Sequence, residues 1–89
     1  MAYYVYMLLT IRNGKAISYV GYTSNLEKRL NKHNNYKGAK FTKGRKWELV
    51  YSKKYNTKSI AMKEEIKLKK NKIKRNSLKS IYKLKNNIK

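Results

Sequence analysis

The sequence predicts an α+β domain of three strands and about three helices, and three observations carry that reading. Tyr3 to Ile11 is a nearly continuous apolar and aromatic run, and Asn13-Gly14 leads from it into a second strand-forming run. Trp47 to Tyr55 alternates well enough for a third strand, and beyond Thr57 the apolar residues recur at helical spacing. A chain of 89 residues has room for one modest core. We place a single domain over residues 1–83, followed by a basic C-terminal tail, 84–89.

Each element has a local cause. The first run is apolar at successive positions, so it reads as a strand covered on both faces and central in its sheet. Asn13-Gly14 supplies the two positive φ angles of a type I′ turn, and Ala16 to Tyr22 returns as the second strand. A two-residue turn sets Tyr6 opposite Gly21 and Leu8 opposite Tyr19, which leaves Tyr6 and Tyr19 as diagonal neighbours on one face. Gly21 among strand formers marks a close approach to the backbone.

Ser24 and Glu27 have capping-box spacing, so a helix is expected from about Asn25. Its buried stripe is Leu26 and Leu30, with Arg29 and His33 together along the edge and directed at the sheet. Asn34 to Lys46, with two glycines and five basic residues, reads as an exposed basic loop. Thr57 or Ser59 caps a helix to about Lys72, and Ser77 to Lys83 forms a second short one.

Charge is the strongest global signal: 24 Lys and Arg against four Glu give a net charge of +20, with 14 of the basic residues in 53–89. Such a field concentrates polyanions, so nucleic acid is the first partner to consider and an anionic membrane the second. Ala2 to Leu9 is too short to span a bilayer, and no basic segment precedes it as a signal peptide requires. Without cysteine there is neither a disulfide framework nor a thiolate metal site, which fits an intracellular protein, and a cytoplasmic location, nucleoid association included, is the expectation.

One carboxylate stands out. With Ala61 set at 0° on the helix after Thr57, Leu68 falls at about −20°, Glu65 about 40°, Met62 about 100°, Ile73 about 120° and Ile66 about 140°. Glu65 thus lies inside an apolar arc, where it must be paired, hydrogen-bonded or bound to a cation. Lys69 one turn on and Arg29 across the core are both available partners. Arg29 is one of only four arginines, and its planar fork suits phosphate as lysine cannot. Two tyrosines, an arginine with a histidine, and one inward glutamate suit phosphodiester hydrolysis.

Tyr4-Val5-Tyr6, Tyr19-Val20-Gly21, Arg29, His33 and Glu65, in this order, resemble the GIY-YIG nuclease domain to about Ile81. The small stand-alone members of that family are most similar, through Gly38 to Thr42, Trp47 to Tyr51 and Ser59 to Lys69. The resemblance implies one three-stranded antiparallel sheet flanked by helices and a metal-dependent DNA endonuclease, in repair or recombination. It implies that Tyr6 acts on the nucleophilic water, Tyr19 hydrogen-bonds the site, Arg29 contacts the scissile phosphate, His33 assists proton transfer and Glu65 binds one Mg²⁺ or Mn²⁺. Tyr4 replaces the first glycine of the motif and valines replace both isoleucines; Tyr4 is expected on the face away from Tyr6.

The expectation is therefore structure-selective cleavage of duplex, branched or nicked DNA, with Lys40, Lys43, Arg45 and Lys69 on the phosphate backbone and no small-molecule cofactor. Two alternatives stand beside it: a non-catalytic basic nucleic-acid binder on the same fold, and a lysine-rich module on anionic lipid.

Overall fold

A computed structural model describes residues 1–34 and 46–86 of the chain. β1 (Tyr3–Arg12) and β2 (Lys15–Thr23) form a hairpin around Asn13 and Gly14, whose φ angles are 52° and 76°. These are the positive values that a type I′ turn requires. The register follows, with Tyr6 opposite Gly21 and Leu8 opposite Tyr19.

α1 (Leu26–Asn34) begins one residue later than the Ser24 capping box would have it. Asn25 Oδ1 accepts the Lys28 amide at 3.0 Å, while Thr23 Oγ1 accepts the Asn25 amide at 3.2 Å. Asn is as good a cap as Ser, and here the Thr23 contact leaves Asn25 at the helix mouth. The far end of α1 is fixed by Asn34, whose side chain accepts the Trp47 amide at 2.6 Å and donates to the Trp47 carbonyl at 3.2 Å.

β3 (Glu48–Tyr55) pairs antiparallel with β1, giving the order β2-β1-β3 with β1 central. A register shift between Met7 and Leu8 interrupts that ladder. Thr57 caps α2 (Lys58–Lys70) by accepting the Ile60 amide at 3.2 Å.

α2 ends at Asn71, and α3 (Lys72–Lys85) starts there, earlier and longer than the expected Ser77 to Lys83. Asn71 serves both helices: its N–H donates to the Leu68 carbonyl at 3.2 Å and its Oδ1 accepts the Lys74 amide at 3.1 Å. No glycine or proline announces this break. The break also corrects the apolar arc: Ile73 belongs to α3 and is exposed, as are Met62 and Ile66, so only Ala61 and Leu68 of α2 are buried.

Strand alternation divides the packing in two. Val5, Met7, Leu9 and Val20 pack with Ala61 and Leu68, while Tyr6, Leu8 and Trp47 pack with Ile17, Tyr19, Leu26 and Leu30. Tyr4 and Tyr6 are two apart on β1, so the same alternation puts them on one face, correcting the opposite placement expected for Tyr4. No described helix is long and apolar enough to cross a membrane.

Candidate functional site

Tyr6 is the centre of the site. It is buried on central β1, opposite Gly21, and a Cβ added at Gly21 would lie 2.6 Å from the Tyr6 hydroxyl and 2.8 Å from Cζ. Only glycine leaves the phenol room to lie across β2. Arg29 and His33, one turn apart on α1, both reach that hydroxyl: Arg29 Nε donates to it at 3.3 Å, and His33 Nε2 lies 3.0 Å away. The Tyr19 ring packs 4.9 Å from the imidazole and 6.3 Å from Tyr6, centroid to centroid. Trp47 meets Tyr19 edge-on.

The protonation pattern follows from donors and charge. Arg29 can only donate, so the Tyr6 oxygen accepts from it. His33 is fully buried, and burial first, then the Arg29 charge, lowers its pKa from the ordinary 6.5. A neutral imidazole accepts at one nitrogen, and in the tautomer protonated at Nδ1 that nitrogen is Nε2, which then takes the Tyr6 hydroxyl proton in a hydrogen bond. Burial raises the Tyr6 pKa above 10.0 despite the opposing bond from Arg29, which keeps the phenol neutral. The Tyr6 bond in turn is the main cause that raises the Arg29 pKa.

A cleft of about 510 Å³ opens in front of this group, lined by Tyr6, Tyr19, Gly21, Arg29 and Glu65, together with Lys58 and Ser24. Glu65 is largely covered, its side chain 14% exposed, and its Oε1 pairs with Lys69 Nζ at 3.0 Å. Of the two partners expected for Glu65, the structure shows Lys69. Tyr6, Tyr19, Arg29 and Glu65 therefore share one cleft, with His33 behind Tyr6. Lys40, Lys43 and Arg45 lie outside the described residues. Sequence reasoning did not assign Tyr3, Tyr22, Ser24 or Lys58 to the cleft.

Among the described residues no three His, Cys, Asp or Glu side chains cluster as metal ligands. The donor set on the cleft is oxygen: one carboxylate and phenolic hydroxyls. That suits a hard cation such as Mg²⁺ or Mn²⁺, which keeps waters and takes further oxygens from a substrate phosphate. Lys69 and such a cation compete for the Glu65 carboxylate.

Residues 2–79 match the GIY-YIG catalytic domain, and the chain belongs to that family. Proteins similar to it carry the name UPF0213 protein. One from Oceanobacillus iheyensis is 48% identical over 68 residues, 75% of this chain and 76% of that protein. Another, from Bacillus licheniformis, is 44% identical over 70 residues, 78% of this chain and 69% of the relative. The solution NMR structure of a UPF0213 protein from Bacillus halodurans is 36% identical, with a TM-score of 0.49 over 91% of this chain and 85% of that one.

Proposed function

We propose that this protein is an endonuclease that hydrolyses DNA phosphodiester bonds with one Mg²⁺ or Mn²⁺ ion, selecting by DNA structure more than by sequence. The carrying observation is the chain Arg29 Nε–H to Tyr6 hydroxyl to neutral His33 Nε2, set beside a cleft that Glu65 lines. Glu65 would hold the ion. When bound, the ion supplies charge neutralisation on the phosphate and Lewis acidity.

The residues of the chain account for the remaining chemistry. A water in the cleft gives a proton to the Tyr6 oxygen while the Tyr6 proton passes to His33 Nε2. The new P–O bond forms from that water, the bond to the departing strand oxygen breaks, and that oxygen takes its proton from solvent. A neutral His33 is the final base, which a raised Tyr6 pKa requires because the phenolate is not formed at neutral pH. Arg29 holds Tyr6 through Nε and offers the rest of its guanidinium to the phosphate, where charge builds up in the transition state. Tyr19 packs His33 in place.

The +20 charge supports a nucleic-acid substrate, and we extend the proposal to cytoplasmic, nucleoid-associated DNA in repair or recombination. Labelled linear, nicked, flap and four-way DNA with Mg²⁺, Mn²⁺ or EDTA tests it. Cutting with either metal and none in EDTA is expected; a protein that binds every substrate and cuts none would refute it. The Lys69 ion pair on Glu65 favours a second reading, a basic DNA binder whose carboxylate stays occupied by its own ammonium. That protein would show the same affinity with and without metal.

A further inference from the structure

A second pocket, of about 280 Å³, lies beside the cleft and is lined by Ser18, Tyr19, Val20, Lys69 and Arg75. Its two charged lining residues are both cations, and no carboxylate is among the five. Tyr19 borders both spaces, and the Lys69 ammonium that reaches Glu65 belongs to a side chain that also lines the pocket. In one continuous helix, Lys69 and Arg75 would point about 120° apart. The break at Asn71 turns α3 back so that both reach the same space against β2.

Two further features point to an anion. Arg75 Nε is closed off from solvent and has no hydrogen-bond partner among the described residues, an under-satisfied donor of the kind that calls for an explanation. β2 is an edge strand among the described residues, so its side away from β1 carries backbone amides that no other described strand pairs. A guanidinium, an ammonium, the Ser18 hydroxyl and the outer edge of β2 together suit the oxygens of a phosphate.

We propose that the Lys69–Arg75 pocket holds a backbone phosphate of the DNA strand next to the one being cut. This deepens the nuclease reading and rests on it for the identity of the ligand. The pocket fixes the strand on the Glu65 side of the cleft, and its phosphate draws the Lys69 ammonium away from the Glu65 carboxylate.

The test is binding without cleavage, in EDTA, so it does not depend on turnover. Affinity for a labelled duplex is measured over a salt series for the wild type, Arg75→Gln, Arg75→Lys and, as a control, Lys72→Gln, which removes the same charge from an exposed position of α3. Arg75→Gln should weaken binding about tenfold and lower the salt slope by about one. Arg75→Lys should recover only part of the affinity, and Lys72→Gln should have a clearly smaller effect than Arg75→Gln.

Nuclear magnetic resonance keeps the test independent of folding in the variants. Titrating the wild type with the same duplex should shift the Arg75 Nε–H signal and the Ser18 to Val20 amides. Saturation with those signals unmoved, or equal losses for Arg75→Gln and Lys72→Gln, would overturn the pocket. Cleavage by the wild type would then still support the nuclease reading, while a shifted Arg75 signal with no cutting would refute that reading and leave the phosphate pocket standing.

Discussion

The two faces of the sheet use the same central strand for different ends. Odd-numbered residues of β1, Val5, Met7 and Leu9, meet α2 and α3 in an apolar core, while even-numbered Tyr6 meets Arg29 and His33 of α1 in a polar relay. Each buried polar atom of that relay has a partner, so the site face is specified by donor and acceptor geometry. The core face is specified by volume. Separate damage to stability and to chemistry is therefore expected from neighbouring positions of one strand.

The largest contrast should come from Met7→Ala on the core face. Met7 is fully buried, and its truncation should cost about 2–5 kcal/mol, read by denaturant unfolding, with the rate per folded molecule nearly unchanged. Arg29→Ala on the site face should do the reverse. Cleavage should fall about 10²–10³-fold, with a denaturation midpoint close to the wild type's. If both variants lost stability and rate together, the division of labour would not hold.

Gly21→Ala sharpens the comparison because it sits at the edge of the two roles. The new methyl must displace the buried Tyr6 ring, so stability should drop about 1–3 kcal/mol and cleavage should fall as well. Unchanged stability and rate would mean that the Tyr6 position is less constrained than the geometry requires.

The smallest effect is in pH. His33 titrates below the ordinary 6.5 when folded, so the unfolded chain takes up a proton first as pH falls. Stability should be level above about pH 6.5 and decline below it, through the folded His33 value. Cleavage should decline in the same acid range, as the relay loses its acceptor, and not before. His33→Ala should flatten that stability slope.

How far this was legible in the sequence depended on local chemistry. Asn13-Gly14 dictated the turn and hence the pairing of Tyr6 with Gly21, because its two residues tolerate positive φ. The α1 face was legible because Leu26, Arg29, Leu30 and His33 recur at helical spacing. The cap was not, since Thr23, Ser24 and Asn25 are all competent and only their mutual hydrogen bonds choose.

Asn71 concealed more. An asparagine between lysines is not a conspicuous stop, and its two capping bonds appear only when α3 has somewhere to pack. For that reason Ile73 was expected on the helix after Thr57, and the meeting of Lys69 with Arg75 had no sequence signal. Glu65 was legible as a buried carboxylate, and the choice of Lys69 over Arg29 follows from one turn of helix placing the ammonium at 3.0 Å.

Glu65→Ala tests the central claim most directly, with single-turnover cleavage in Mg²⁺ measured beside DNA affinity in EDTA. Cleavage should fall about 100-fold or more while affinity stays level or rises, since a negative charge has been removed from a basic cleft. Cleavage within a few-fold of the wild type, or loss of binding in step with loss of cutting, would contradict Glu65 as the metal-holding residue of this site.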